Sequence, residues 1–137
     1  LTEEYEERDL AVFAKTKDWL DLYFYGEKPD FMPPIAVCGS DFRKAVWNLL
    51  RQIPYGQTTT YGEIARQMAA QMGTARMSAQ AVGAAVGRNP VSILIPCHRV
   101  LGSDGSLTGY AGGVEKKAAL LALEKVELPI SSAYAKI

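Results

Sequence analysis

Gly87-Arg88-Asn89-Pro90-Val91-Ser92-Ile93-Leu94-Ile95-Pro96-Cys97-His98-Arg99-Val100 is the stretch on which the reading of this chain turns. Val91 to Ile95 is a short run rich in β-branched residues between two prolines, and it reads as a strand that Pro96 ends. Directly after it stand Cys97 and the chain's single histidine, His98. A thiol with an ordinary pKa of about 8.5 is mostly protonated at neutral pH, so a nucleophilic cysteine needs a base or a positive environment. His98, with an ordinary pKa of about 6.5, is the one suitable base that the sequence offers. Successive side chains of an extended segment face opposite ways. The two groups can therefore cooperate directly only if the chain turns here, and a relay through a water is the expectation. Two plainer readings stand beside this one: a lone cysteine is also at home as a small buried hydrophobe, and a lone imidazole as a hydrogen-bonded core or surface residue.

Upstream, Ser78 to Gly87 is a short helix built almost wholly from small residues, which let a backbone come close to something else. Before it, Thr60-Tyr61-Gly62-Glu63 has the Ser/Thr-x-x-Glu form of a capping box opening a helix with Ile64, Ala65 and Met68 inward, with a loop near Gly73 between the two. Pro54-Tyr55-Gly56 reads as a tight turn. Ser40 is a candidate N-cap for a helix that places Phe42, Ala45, Val46, Leu49, Leu50 and Ile53 on one face. Tyr5 to Tyr25 fits one or two amphipathic helices, ended by Gly26-Glu27-Lys28-Pro29, and a connection through Met32-Pro33-Pro34 marks the domain boundary. Downstream, Leu101 to Tyr110 contains Gly-Ser-Asp-Gly-Ser, a turn signal for a hairpin wing. Gly112-Gly113 then precedes a last helix with Val114, Ala118, Leu120 and Leu121 inward, ending at Glu124. The expected fold is mostly α with a small β hairpin or strand, like a winged helix-turn-helix.

With 137 residues, 48% of them hydrophobic and 22% charged, the chain has enough apolar material for one principal domain. No stretch reaches the roughly 18 apolar residues of a membrane span, and the acidic N-terminus lacks the basic start of a secretion signal. A soluble, cytoplasmic protein with no membrane partner is expected. Cys38 and Cys97 are far apart and have neither zinc-site nor redox-pair spacing, so no metal is expected, and Cys38, in a linker-like stretch without a neighbouring base, reads as inert. Because the chain opens with Leu1 rather than Met, a missing N-terminal portion is also expected. The formal net charge of zero conceals segregation. Residues 1–41 hold four basic and ten acidic side chains, residues 42–99 seven basic and one acidic, and residues 100–137 four of each. A middle segment at +6 is the footprint expected where a chain meets phosphates, although chance clustering of solvated charges would look the same.

Ile95-Pro96-Cys97-His98-Arg99-Val100, preceded by Gly87-Arg88-Asn89-Pro90 and followed by Gly109-Tyr110-Ala111-Gly112-Gly113, resembles the active-site signature of the O6-alkylguanine-DNA alkyltransferases, also called methylated-DNA–protein-cysteine methyltransferases. The resemblance runs from about residue 40 to 125 and takes in the Trp47 helix and the Tyr-Gly-Glu-Ile-Ala start of the next. It implies a single-turnover DNA-repair enzyme in which Cys97 attacks the alkyl carbon of the lesion, His98 deprotonates Cys97 through a water, Glu124 orients His98, and Asn89 fixes the loop around Cys97. Tyr61, Tyr110, Val100 and Ala111 would hold the guanine. Gln80, Ala81, Gly83, Ala84 and Arg88 would meet double-stranded DNA in its minor groove, with the alkylated base turned out of the stack. Extrusion is needed because the alkyl carbon cannot be approached in line inside a duplex. Where many members carry an arginine that fills the gap left by the base, this chain has Gln80, which leaves Arg76 to supply the missing charge. Arg99 is expected as a structural ion pair as readily as a DNA contact. No cofactor is implied, and a monomer is expected. The resemblance divides the chain into residues 1–38, a helical segment and connection left from a shortened N-terminal domain; 39–128, the catalytic and DNA-binding domain; and 129–137, a C-terminal tail.

Two rival functions stand against this reading. A non-catalytic lesion-binding module of the alkyltransferase-like kind typically replaces the nucleophilic cysteine, which is present here. A cysteine hydrolase would use the same Cys97 and His98, but no oxyanion-hole motif accompanies them.

Overall fold

The computed structural model describes residues 3–107, 110 and 113–126, with side chains from residue 11 onward. It divides into two compact units, Leu1–Ala36 and Val37–Ile137. The expected tail at 129–137 lies outside the described residues. Among those residues no helix is long and apolar enough to cross a membrane.

In the first unit, α1 runs from Glu3 to Phe24 as one continuous helix. Trp19 and Tyr23, four residues apart on one face, stack at 5.2 Å, and Phe24 meets Tyr23 edge-on at 5.5 Å. Gly26, at φ +92°, turns the chain out of the helix while Glu27 N–H bonds Leu22 O at 3.0 Å, closing the last turn.

The second unit holds four helices and a two-strand sheet among its described residues. Helix α2 spans Asp41–Arg51, capped by the Ser40 hydroxyl, which accepts from Arg43 N–H. On the face that the spacing predicts, Val46, Leu49, Leu50 and Ile53 are buried and Phe42 and Ala45 half-buried, and Trp47, not expected there, is buried beside them. The Trp47 indole N–H donates to Ala85 O at 2.9 Å, tying α2 to α4. A side chain at position 39 would sit 2.8 Å from the same indole ring, so glycine is required there. Helix α3, Tyr61–Met72, is capped by Thr60, whose hydroxyl accepts from Glu63 N–H at 3.1 Å. The carboxylate of Glu63 is engaged by Arg66 and Gln67 on the helix surface. Gly73 at φ +67° ends α3 in the left-handed conformation that glycine adopts without strain. Helix α4, Ala79–Gly87, starts at the Ser78 cap and buries Val82, Ala85 and Val86. Helix α5, Val114–Leu123, ends at Glu124.

The fold is mostly helical with a minor β element, and the detail of that element departs from expectation. Val91 to Ile95 forms a tight turn instead of a strand, with an isolated bridge between Ser92 and Ile95 and Ile93 at φ +75°. A β-branched residue with positive φ is strained, and the surrounding bonds must hold it there. Likewise Leu101 to Tyr110 contributes no hairpin among its described residues. The Gly-Ser-Asp-Gly-Ser signal makes a tight turn closed by Gly102 N–H to Ser106 O at 2.9 Å, and β2 (Val100–Leu101) pairs in parallel with β1 (Thr59–Thr60). The apolar run at 91–95 is bent by local hydrogen bonds because it must deliver Cys97 to the site, a demand that periodicity does not carry.

Candidate active site

Asn89 shapes the active-site turn. Its side-chain amide donates to Ile95 O at 2.7 Å, and its carbonyl oxygen accepts from Val91 N–H at 2.9 Å, clamping both ends of the bend. Cys97 then opens a single 3-10 turn, Cys97–Arg99, with Arg99 N–H bonded to Pro96 O at 3.1 Å. The chain does turn at Cys97-His98. The extended geometry that would separate the two side chains is absent. Cys97 keeps 7% of its surface exposed and His98 none. Burial pushes the Cys97 thiol up from its ordinary pKa, and three things oppose it: the Asn89 side chain, the charge of Lys117, and the backbone N–H groups at the start of the turn.

Behind the thiol lies a buried polar cluster. His98 Nε2 meets Glu124 Oε2 at 2.5 Å. This contact assigns the ring proton to Nε2 and leaves Nδ1 as the basic nitrogen. Glu124 Oε1 accepts from Arg99 Nε at 2.8 Å and from Gly56 N–H at 2.9 Å. Arg99 Nη1 donates to Ile53 O at 2.7 Å, and its guanidinium lies over the Tyr55 ring at 5.7 Å. One carboxylate, placed where α5 ends, thus binds the signature turn and the Pro54-Tyr55-Gly56 turn together. Gly56 is at φ +79° and brings its N–H to that carboxylate. Burial pulls the His98 pKa below its ordinary value; Glu124 opposes that, and Arg99 and Lys117 add to it. Arg99, 7% exposed, is an ion-pair residue rather than a surface contact.

Lys117 has no counterpart in the sequence analysis. It is fully buried on the inner face of α5, its ammonium donates to Val100 O, and it lies over the Tyr61 ring at 5.7 Å. Its pKa falls from the ordinary 10.5 to about 8 through burial, and the Cys97 charge pulls the other way. One signal was available: position 117 falls on the stripe Val114, Ala118, Leu121, where helical spacing leaves no solvent for a lysine.

Tyr61, the first residue of α3, and Tyr110 both have their hydroxyl pKa raised, first by burial and then by the nearby Cys97 charge; the Ser92 hydroxyl lowers that of Tyr110. Burial favours the proton-bearing form of both phenols, and the Cys97 charge acts on both. Val100 is buried, with its carbonyl engaged by Lys117. Ala111 lies outside the described residues. On α4, Gln80, Ala81 and Ala84 are exposed and Gly83 half-buried, and Arg88 follows, exposed, at the helix end. Gly83 sits beside the Tyr61 ring, which a Cβ there would meet at 3.9 Å. The helix presents a smooth outer face two turns long, adjoining the site through Tyr61. Arg76 is exposed in the 73–78 connection and Cys38 is exposed in the second unit, outside the polar cluster.

Residues 41–126 match the family model for the 6-O-methylguanine DNA methyltransferase, DNA binding domain. A methylated-DNA–protein-cysteine methyltransferase of Mycobacterium bovis is 49% identical over 121 residues, covering 88% of this chain and 70% of the relative. The crystal structure of Mycobacterium tuberculosis OGT in complex with DNA is similar with a TM-score of 0.75 and 49% identity, over 82% of this chain and 67% of that one. S. pombe Atl1, in complex with damaged DNA containing O6-carboxymethylguanine, is 31% identical with a TM-score of 0.53, over 66% of this chain and 82% of that one.

Proposed function

Because the chain belongs to the 6-O-methylguanine DNA methyltransferase family, it is a DNA-repair methyltransferase whose partner is DNA, and we propose that Cys97 is the sulfur that takes the alkyl group from O6-alkylguanine, once per molecule. The observation that carries this assignment is the buried His98–Glu124 contact of 2.5 Å on the residue next to Cys97. A carboxylate that fixes an imidazole, beside a thiol, is the arrangement that activates a nucleophile.

The outer face of α4 lies in the minor groove, where Ala81, Gly83 and Ala84 let the backbone come close, Arg88 meets phosphate, and Gln80 fills the gap left by the extruded base. The base enters beside Cys97 between Tyr61 and Tyr110, against the backbone at Val100 and Ala111. The thiol proton leaves through a water to His98 Nδ1, with Glu124 holding Nε2–H. Sγ then attacks the alkyl carbon from the side opposite O6; the S–C bond forms as the C–O6 bond breaks. Tyr61, kept protonated by burial, donates a hydrogen bond to the departing guanine, which leaves with the C–O6 electron pair and takes a proton from water as His98 returns its own to solvent. In-line placement and a desolvated thiolate supply the rate. Burial pushes the Cys97 thiol up from its ordinary pKa, and Lys117 offsets the charge when the proton goes. Residues 39–128 form the working domain in this reading, in a cytoplasmic location whose reducing poise suits a free thiol.

The test is the intact mass of the protein after incubation with an oligonucleotide duplex carrying one O6-methylguanine. One methyl group per chain, mapped to Cys97, is expected. Stable binding without mass gain would replace this reading with a lesion-binding module.

Lys117→Met separates the two sides of the buried lysine. Lys117 acts on the Cys97 charge; at an effective dielectric constant near 20 a unit charge about 5 Å away is worth about 3 kcal/mol, so the transfer rate should fall roughly a hundredfold. Stability moves the other way. The folded pKa of about 8 lies below the unfolded 10.5, so the unfolded chain holds the proton more tightly. The group therefore opposes folding by about 3 kcal/mol at neutral pH, and that opposition fades between about pH 8 and 10.5. The variant should melt at or above the parent's temperature near pH 7 and lose that margin above pH 10, as thermal unfolding across pH would show.

A further inference from the structure

Arg99 is buried and holds two partners at once, Glu124 Oε1 at 2.8 Å and Ile53 O at 2.7 Å. The Glu124 carboxylate is therefore divided, with one oxygen for Arg99 and Gly56 and the other for His98. Resting on the alkyl-transfer reading above, we infer that Arg99 is a positioning residue of the reaction: by neutralising Glu124 it stops the carboxylate from converting His98 to an imidazolium, and so keeps a base ready for the Cys97 proton.

The charges around the ring make the argument. Glu124 faces His98 from the end of α5, Lys117 from within α5, Arg99 from the same 3-10 turn, and Tyr55 lies against the guanidinium from the turn after α2. A fully buried carboxylate 2.5 Å from an imidazole, with no cation on its other oxygen, would draw a proton onto the ring, since two opposite charges in contact are favoured over one unbalanced charge in a dry site. An imidazolium has no lone pair at Nδ1 and cannot accept the thiol proton. With Arg99 in place the carboxylate charge is already balanced, and Glu124 orients the ring without charging it. A structural role for Arg99, tying Ile53 to the signature turn, would need the same hydrogen bonds but would leave the proton affinity of His98 alone.

The experiment uses the sole histidine of the chain as its own reporter. The ring resonances of His98 are titrated by NMR, and the single-turnover transfer rate on O6-methylguanine duplex is measured against pH, for the parent, Arg99→Met, Arg99→Gln and Arg99→Lys. In the two neutral variants the His98 midpoint should rise by about one pH unit or more, and the acid limb of the rate should move up by the same amount. Below that limb this is about a tenfold loss of rate that higher pH restores. Arg99→Lys, which keeps the charge and loses the fork, should recover more than half of the shift while melting below the parent. Arg99→Gln can still bond Glu124 and Ile53, so it stands in should Arg99→Met fold too weakly to titrate. An unchanged His98 midpoint in a folded neutral variant, or a rate loss equal at every pH, would overturn the inference. If the parent takes up no methyl group, the alkyl-transfer reading fails, and the NMR titration still decides whether Arg99 sets the charge of His98.

Discussion

A chain carrying Cys97→Ser is expected to bind duplex DNA containing O6-methylguanine and to gain no mass from it over times in which the parent is fully consumed. The reason lies in how little the site changes and how much the nucleophile does. Cys97 is 7% exposed in a turn held by Asn89 at Ile95 O and Val91 N–H, neither of which involves the sulfur. A hydroxyl in place of the thiol leaves that turn and the α4 surface as they are, so recognition persists. The hydroxyl does not ionise near neutral pH, however, and in the proposed mechanism Lys117 and His98 ease the ionisation of a thiol, not of an alcohol. Cys38→Ser serves as the control, because Cys38 is exposed and outside the polar cluster, and it should retain full transfer. Methyl transfer by Cys97→Ser, or its loss in Cys38→Ser, would move the acceptor elsewhere.

Glu124→Gln should produce the second large effect, on stability and rate together. The carboxylate accepts from Arg99, Gly56 and His98 and is 2% exposed, so its replacement leaves a guanidinium buried without a counter-charge. Breaking a buried pair from one side costs about 3–5 kcal/mol, or roughly 10–20 °C in melting temperature for a chain of this size. Transfer should fall on the order of 10³–10⁴-fold, the scale on which an imidazole loses function when its orienting carboxylate becomes an amide. Adding Arg99→Met removes the stranded charge. Calorimetry of the double variant should show much of the stability restored while the rate stays low, because the two losses have different origins. A single variant that melts within about 2 °C of the parent would mean that the cluster contributes far less than its burial suggests.

Helix existence was legible from the chain alone. The stripe in α2, the Ser40 and Thr60 caps and the Gly73 stop are local signals, and each stands where it was expected. The nucleophile candidate and its base were legible because they are neighbours in sequence, and Asn89 lies only eight positions upstream. The segment 91–95 is a turn and not a strand because apolar β-branched composition describes what a segment buries, while its bend is made by Asn89 and by bonds to Ile95.

By itself the sequence determined the helical framework, the thiol beside the only histidine, and the family signature around them. These depend on residues a few positions apart, whose interactions survive any tertiary arrangement. Only the tertiary structure decided that Glu124 is shared between His98 and Arg99, that Gly56 and Ile53 join that cluster from over forty residues upstream of Arg99 or Glu124, and that Lys117 turns inward toward Val100 O and Tyr61. Charge pairing and desolvation act through space and depend on burial, which no local pattern of residues encodes.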